Sequence, residues 1–266
     1  MKNKFFAGCD VGSTTGKAVI INKNGIQGKA VCQSELDPEE TAKIVLTKAC
    51  ESIASEISPK DITYLIGTGY GRREVPFANE NISEITCHAK GAFSCMPDTR
   101  TIIDIGGQDV KAISVGNKGE VLDFAMNDKC AAGTGRFFEM MANIFRMDIS
   151  EFSDLSLQSK KIIPITSQCS VFAETEVITL LAKRKNPADI AAGIQSSVAK
   201  RCFTLMKKTG LKSVVTITGG CSKNKGLIKA LESKLRMPIC NLPIDPQLMG
   251  AYGAAVFAMQ KYGMNA

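Results

Sequence analysis

The stretch that decides the fold lies near the start of the chain and runs Phe5-Phe6-Ala7-Gly8-Cys9-Asp10-Val11-Gly12-Ser13-Thr14-Thr15-Gly16-Lys17-Ala18-Val19-Ile20-Ile21-Asn22. Its apolar ends predict two β-strands, and the small residues Gly12 to Gly16 predict the turn of a hairpin. Glycine lets a backbone approach an oxyanion, successive N–H groups form an anion nest, and Asp10 at the strand end can hold magnesium through water. With Lys17 just beyond the turn, the stretch predicts a phosphate-binding hairpin. A plain Gly/Ser/Thr hairpin is the alternative.

The same pattern begins again about ninety residues later. Thr101 to Ile105 is an apolar strand that runs into Gly106-Gly107-Gln108-Asp109, and Lys111 to Val115 is predicted to return as its partner. Gln108 could orient a water toward a γ-phosphate, as a glutamine does in some GTPases. The strand-end Asp104 is the counterpart of Asp10.

A third turn, Gly219-Gly220, follows the predicted strand Ser213 to Thr218. Two glycines in succession allow a backbone to lie flat against a ring or sugar. Each turn alone is a weak signal, but three in this order predict a nucleotide site.

Helical periodicity covers much of the remaining chain. The predicted helices run from about Pro38 to Ile57, Ser83 to Phe93, Pro187 to Lys208, Lys223 to Leu235 and Gln247 to Lys261, and a short strand covers Ile62 to Ile66. Both halves therefore begin with a strand, an aspartate, a glycine-rich turn and a strand. We predict an α/β fold of two lobes with a nucleotide cleft between them. Lobe I comprises residues 1–93 plus 247–266, and lobe II comprises residues 94–246.

Composition narrows the class of protein. The 266 residues are 44% hydrophobic and 22% charged, which is ordinary for a globular enzyme. The net charge of +7 comes from scattered lysines, so no basic block indicates nucleic-acid binding. No segment approaches the roughly 20 apolar residues of a membrane span. Ten widely spaced cysteines without a Cys-x-x-Cys pair indicate a reducing compartment, and we predict a cytoplasmic protein.

Two of the ten cysteines, Cys130 and Cys169, are each predicted to open a helix. The periodic apolar positions are Phe137, Met141, Ile144 and Phe145 after the first, and Val171, Val177, Ile178 and Leu181 after the second. A thiol at a helix N-terminus is favoured as thiolate, the form that binds soft metals. Two thiolates complete neither a zinc site nor an iron–sulfur cluster, which normally need four ligands. A two-fold dimer that presents the pair twice would supply them.

The order of the three turns resembles the ATP-binding superfamily of acetate kinase, sugar kinases, Hsp70 and actin. In that superfamily two RNase-H-like lobes hold phosphates between two Asp/Gly hairpins. Four further stretches narrow the resemblance: Met126-Asn127-Asp128-Lys129-Cys130-Ala131-Ala132-Gly133-Thr134-Gly135-Arg136-Phe137, Thr68-Gly69-Tyr70-Gly71-Arg72, Ile82-Ser83-Glu84-Ile85-Thr86-Cys87-His88-Ala89 and Cys169-Ser170-Val171-Phe172-Ala173-Glu174-Thr175-Glu176-Val177. From about Phe5 to Ala258 the chain resembles the BadF/BadG/BcrA/BcrD ATPase family, the activators of 2-hydroxyacyl-CoA dehydratases.

This resemblance implies an oxygen-sensitive homodimer with one 4Fe-4S cluster on its two-fold axis, held by Cys130 and Cys169 of each subunit. It implies that ATP, with Mg²⁺, changes the angle between the subunits. A low-potential electron is thereby delivered to a partner iron–sulfur enzyme. An upstream donor such as ferredoxin or flavodoxin would supply that electron. The partner is open between a 2-hydroxyacyl-CoA dehydratase, a benzoyl-CoA-type reductase and a double-cubane cluster protein.

The predicted catalytic residues are Asp10, Asp104 and Gln108. The predicted ATP-binding residues are Gly12, Ser13, Thr14, Thr15, Lys17, Gly106, Gly107, Gln108, Gly133, Gly135, Gly219 and Gly220. The family often has Gly-Gly-Val-Ala at the nucleoside turn, where this chain has Cys221-Ser222 after the glycines. The single histidine, His88, is predicted to be a hydrogen-bonded structural residue, with a metal-ligand or base role as the alternative. Two other functions stay open: a metal-free small-molecule kinase and an actin-like ATP-binding module.

Overall fold

The computed structural model describes residues 4–54, 57–167 and 169–263. Its strands are β1 (Phe5–Val11), β2 (Thr15–Asn22), β3 (Gly25–Gln33), β4 (Ile62–Thr68), β5 (Glu80–Asn81), β6 (Thr101–Ile105), β7 (Val110–Val115), β8 (Val121–Asn127), β9 (Val215–Thr218) and β10 (Ile239–Cys240). Its helices are α1 (Pro38–Glu51), α2 (Glu84–Cys95), α3 (Gly135–Ile144), α4 (Ile149–Leu157), α5 (Ser170–Ala182), α6 (Pro187–Lys208), α7 (Lys225–Leu235) and α8 (Met249–Lys261).

The strands form two five-stranded sheets with one shared topology. The first has the order β3-β2-β1-β4-β5, and the second, taken from its other edge, has the order β8-β7-β6-β9-β10. In each sheet an antiparallel hairpin (β1–β2 or β6–β7) is followed by parallel strands on the far side of its first strand. The predicted α/β fold with two RNase-H-like halves is confirmed, and so is the internal repeat.

The chain divides into two compact units, each containing one of the two Asp–Gly hairpins. Unit 1 consists of Met1–Thr99, Val115–Leu122 and Leu242–Ala266, and unit 2 consists of Arg100–Ser114 and Asp123–Asn241. No helix of the described residues is long and apolar enough to cross a membrane.

Strand β1 is buried along its whole length because both faces of its sheet are covered. Phe5, Ala7 and Cys9 belong to the apolar cluster that includes α1, whereas Phe6 belongs to the cluster that includes α8. This alternation follows from the two-residue period of a strand. It places Asp10, which has the parity of Phe6, on the α8 side of the sheet.

Helix α1 differs from its prediction at the C-terminal end. Asp37 caps it through Glu39 N and Pro38 is its first residue, both as predicted, but it ends at Glu51 rather than near Ile57. The hydroxyl of Ser52 accepts a hydrogen bond from Lys29 N of β3 at 3.0 Å. That bond and the turn at Ser52 end the helix, although the apolar pattern continues. Residues 55 and 56 lie outside the described part.

Five of the strands and helices named above were not predicted from the sequence, and two of them, β5 and β10, have only two residues each. Strand β3 and strand β8 expose many of their side chains, so neither has the apolar run that marked β1 and β6. Helix α4 is only nine residues long, and its signal is a capping box between Asp148 and Glu151 rather than periodicity.

Candidate functional site

The first hairpin places a carboxylate, an ammonium group and a bare backbone turn side by side. Asp10 and Lys17 are cross-strand partners on β1 and β2, and Lys17 Nζ lies 3.3 Å from Asp10 Oδ2. The same Nζ lies 2.9 Å from the point that a Cβ on Gly12 would occupy, so a larger residue there would displace it. A cation beside a glycine-containing turn is suited to an anion such as a phosphate.

The turn of this hairpin is fixed from outside by Ser34. Ser34 Oγ donates to Gly12 O at 2.7 Å, and Ser34 N donates to Thr14 O at 3.0 Å. The hydroxyl of Thr14 is buried and has no hydrogen-bond partner among the residues that the structure describes. A buried polar atom without a protein partner is costly. The Thr14 hydroxyl is therefore suited to form a hydrogen bond with the polar atoms of a ligand.

The second hairpin has the same cross-strand pair with one more acid. Asp104 and Lys111 are partners on β6 and β7, and Lys111 Nζ lies 3.7 Å from Asp104 Oδ2. Lys111 is buried, and its Nζ lies 2.6 Å from Asp109 Oδ2. Thr218 Oγ1 donates to Asp104 Oδ1 at 2.8 Å. Gln108 stands exposed at the tip of the turn, free to reach a water.

The predicted nucleoside turn packs directly on this second hairpin. Gly219 follows β9 with a φ of 84°, and a Cβ there would overlap Ile105 O and approach Asp104 Oδ1. The Cys221 thiol lies 3.6 Å from the point that a Cβ on Gly135 would occupy. Burial, followed by the negative charges of Asp104 and Glu139, raises the pKa of Cys221 to about 12. Cys221 is therefore a neutral small group that lines the turn.

An open, shallow groove of about 530 Å³ runs along α3, from its second residue to its last, in the same unit. It is lined by Arg136, Glu139, Met140, Asn143, Ile144 and Glu174. This volume lies in the range of small-molecule sites, about 300–1,000 Å³. Arg136 and Glu139 are joined by an ion pair of 2.8 Å, which gives the groove polar groups near the turns. The sequence interpretation missed these residues because it assigned α3 to packing.

Cys130 does not open a helix, which corrects the sequence-based prediction. Helix α3 begins at Gly135 with Thr134 as its N-cap, so Cys130 lies in the preceding turn, partly buried. Gly133 has a φ of 109°, which prevents the helix from extending back to the cysteine. Asn127 Nδ2 donates to Cys130 O at 3.2 Å and ties this turn to β8.

Cys169 is the N-cap of α5 and is exposed, as predicted. The turn before it is ordered by Glu176, one further residue that the sequence interpretation did not assign. Glu176 accepts hydrogen bonds from Thr166 N at 3.0 Å and Ser167 N at 2.9 Å. Desolvation opposes the charge of Glu176, but these hydrogen bonds outweigh it and lower the pKa. At neutral pH the charged Glu176 carboxylate therefore fixes the backbone of Thr166 and Ser167, shortly before Cys169 in the chain. Gln168 lies outside the described residues.

Four of the other cysteines are poorer candidates for binding a soft metal than Cys130 and Cys169. Burial raises the pKa of Cys87 and Cys202 to about 12, and that of Cys50 and Cys95 to about 11. Such thiols stay protonated and are poor ligands.

One chain does not offer a complete ligand set for a cluster. Within 4–54, 57–167 and 169–263, no three His, Cys, Asp or Glu side chains form a group that could hold a metal ion. Cys130 and Cys169 fit a cluster in their chemistry as soft thiol donors. A second chain would have to supply the remaining ligands.

Unit 2 thus brings together most of its predicted site residues. Gly135 N donates to Gly106 O and Arg136 N donates to Gly107 O, each at 2.9 Å. The start of α3 is therefore hydrogen-bonded to the turn of the second hairpin. The sequence interpretation missed Asp109 and Lys111. A usable signal was the equal spacing of the two Asp–Lys pairs, Asp10 to Lys17 and Asp104 to Lys111.

Comparison with known proteins gives consistent matches along nearly the whole chain. A profile of the BadF/BadG/BcrA/BcrD ATPase family matches residues 7–258. The activator of lactoyl-CoA dehydratase from Anaerotignum propionicum is 43% identical over 257 residues, which cover 95% of this chain and 96% of the relative. The sequence-based resemblance to this family is confirmed.

Two solved structures have the same fold at similar identity. The activator of the 2-hydroxyisocaproyl-CoA dehydratase from Clostridium difficile, with bound ADPNP, superposes with a TM-score of 0.90 at 41% identity and covers 97% of this chain and 96% of its own. Component A of the (R)-2-hydroxyglutaryl-CoA dehydratase from Acidaminococcus fermentans gives 0.90 at 40% identity, with 98% and 99% covered.

Proposed function

Because the chain belongs to the BadF/BadG/BcrA/BcrD ATPase family, we propose that it is an ATP-hydrolysing activator that drives electron transfer to a partner iron–sulfur enzyme. The proposed partner is a 2-hydroxyacyl-CoA dehydratase, because two of the relatives described above are activators of such enzymes and the third is a component of one. A ferredoxin or flavodoxin is the proposed donor.

The proposal places the nucleotide on the turns described above. Lys17 and the Gly12–Thr15 turn would bind phosphate, Asp10 and Asp104 would position Mg²⁺ through its water ligands, and Gln108 would orient the attacking water. Asp104 suits this role because Thr218 fixes one of its oxygens while Lys111 balances its charge. Gly219, Gly220 and the α3 groove would receive the nucleoside.

The proposal assigns Cys130 and Cys169 as ligands of a 4Fe-4S cluster shared by two copies of the chain. When bound, the cluster supplies a single low-potential electron for the partner enzyme. The chain contributes the exposed Cys169 and the partly buried Cys130, and Glu176 and Asn127 form hydrogen bonds with the turns that carry them. A homodimer would present these thiols twice, which matches the four ligands that such a cluster normally takes.

The observation that supports the coupling is the direct bonding between the Gly106–Gly107 turn of the second hairpin and the start of α3, which follows the turn of Cys130. Gly106 O and Gly107 O accept from the first two N–H groups of α3, immediately after the 130–134 turn. In the proposed mechanism, a shift of the Gly106–Gly107 turn upon hydrolysis would be passed through these bonds to the start of α3 and to the adjacent cysteine. A ligand can shift such an equilibrium only by its difference in affinity for the two states.

The first test separates the cluster from the nucleotide. Cys130→Ala and Cys169→Ala should each lose iron in anaerobically purified protein while retaining MgATP affinity, since each deletes two of four ligands in the dimer. Cys240→Ala, at a partly buried position on β10, is the matched control and should keep its iron. Iron content near wild type in either of the first two variants would exclude that cysteine as a ligand.

The second test addresses coupling. Prereduced protein should reduce its partner with MgATP and should not do so with MgADP or without nucleotide. Equal rates in the three conditions would contradict the coupling. The protein would then be an iron–sulfur electron donor that binds nucleotide but does not use its hydrolysis to drive electron transfer.

A further inference from the structure

Glu176 lies on α5 about two helical turns after Cys169, and its side chain reaches back toward the segment before the helix. Its two carboxylate oxygens accept hydrogen bonds from three donors. Thr166 donates through its N at 3.0 Å and through its hydroxyl at 3.0 Å, and Ser167 donates through its N at 2.9 Å. Hydrogen bonds to a charged acceptor are stronger than those between neutral groups. Glu176 therefore fixes two consecutive residues against the side of α5.

These two residues lead directly to the cysteine. Ser167 stands two positions before Cys169, and Cys169 O accepts the first backbone hydrogen bond of α5, from Ala173 N at 2.9 Å. The chain is thus bonded to α5 on both sides of the cysteine. The helix backbone holds the C-terminal side, and the carboxylate of Glu176 holds the N-terminal side.

Other contacts of this segment are made with the rest of unit 2. Ile165 belongs to the buried core of the unit. Arg201 Nη2 of α6 donates to Ser167 O at 3.5 Å, which is long for a hydrogen bond. The bonds from Thr166 and Ser167 to Glu176 are shorter. The segment is therefore attached most firmly to α5 in the two residues that approach the cysteine.

We propose that Glu176 is a positioning residue for Cys169, which joins the turn before the cysteine to α5 so that the thiol and the helix move as one piece. This inference rests on the proposed function, in which Cys169 is a ligand of the shared cluster. Glu176 is not itself a ligand. Groups that orient a metal ligand typically contribute about 10- to 100-fold in metal affinity or activity.

The first measurement detects the hydrogen bonds without the cluster and without activity. In iron-free full-length protein, amide hydrogen exchange of the peptide that contains Thr166 and Ser167 should be about tenfold faster or more in Glu176→Gln, because the charged acceptor is lost. Glu232→Gln is the matched control, since Glu232 of the same unit accepts a hydrogen bond from Ile239 N at 3.0 Å. It should leave the exchange of that peptide unchanged. Wild-type exchange in Glu176→Gln would overturn the inference.

The second measurement tests positioning in anaerobically purified protein. Glu176→Gln should release iron to a chelator about tenfold faster than wild type or more. The electron paramagnetic resonance spectrum of its reduced cluster should change in line shape, because Cys169 is no longer held in one position. Glu232→Gln should match wild type in both measurements.

A milder variant guards against a loss of folding, which thermal unfolding detects. Thr166→Val removes one of the three donors to Glu176 and should accelerate iron release by a smaller factor than Glu176→Gln. Wild-type iron release in folded Glu176→Gln would overturn the inference. An equal acceleration in Glu232→Gln would overturn it as well, because loss of any carboxylate–backbone bond in the unit would then suffice. If Glu176→Gln does not fold, wild-type release in Thr166→Val decides against the inference.

These outcomes are distinguishable from failure of the proposed function. Wild-type protein that binds no iron under anaerobic conditions would contradict the proposed cluster, and hydrogen exchange would then decide alone whether Glu176 fixes the turn before Cys169. Wild-type protein that binds iron, together with unchanged release in Glu176→Gln, would contradict only the role of Glu176.

Discussion

The two Asp–Gly hairpins have the same backbone pattern and the same cross-strand Asp–Lys pair, yet the lysines have different surroundings. Lys17 has one carboxylate partner and its Nζ lies over the turn at Gly12. Lys111 lies between two carboxylates, those of Asp104 and Asp109, and is more deeply buried. The first hairpin therefore keeps its positive charge at the turn, where an anion would bind.

The second hairpin has one carboxylate more than its lysine can neutralise. This excess of negative charge suits a hydrated cation rather than a phosphate oxygen. In the proposed site, the added acid Asp109 would give the second copy of the duplicated motif a role different from that of the first. Three pairs of substitutions test this difference.

The largest effect is expected at Asp104, the carboxylate at the end of β6. Asp104→Asn should lower kcat for ATP hydrolysis by about 100-fold or more with little loss of MgATP affinity, because a metal-positioning group acts mainly on the transition state. Asp10→Asn leaves a net positive charge at the first hairpin and should lower kcat less, with no loss of affinity. Turnover and isothermal titration measure the two quantities. Equal losses of affinity and turnover in Asp104→Asn would indicate a structural role.

The second prediction compares the two lysines. Lys111→Met leaves two carboxylates without their shared cation, so the free energy of unfolding should fall by about 3 kcal/mol or more. Lys17→Met removes the partner of one carboxylate, that of Asp10, rather than of two, and should lower stability less, while weakening MgATP binding. Urea denaturation of both variants measures the two losses of unfolding free energy and shows which is larger. The comparison fails if Lys17→Met is the less stable of the two.

The smallest effect is expected at the exposed tip of the second turn. Gln108→Ala should lower kcat about tenfold and leave stability and affinity near wild type, because the side chain packs against little and would orient only a water. Ser13→Ala, at the exposed tip of the first turn, is the matched control, and we expect a smaller change in kcat there. A larger change in the control would place the water-orienting group elsewhere.

Much of the fold was predictable because its signals are local. The apolar strands β1 and β6, their glycine-rich turns and the long helix α6 each have a short-range pattern. The exposed strands β3 and β8 were missed because an edge strand does not need an apolar run. The predicted C-terminal end of α1 was wrong because a hydrogen bond from β3 ends the helix earlier. That bond joins residues far apart in sequence, so no local pattern indicates it.

The sequence by itself determined the fold class, the family, the two hairpin aspartates and the two candidate cluster cysteines. Each of these features can be recognised in a short motif, because the residues that form a turn or supply a ligand stand at consecutive positions in the chain. Only the tertiary structure showed that Cys130 lies in a turn before α3 and that Asp109 shares Lys111 with Asp104. Each of these depends on which backbones approach each other, and close approach is a property of packed elements rather than of any local stretch.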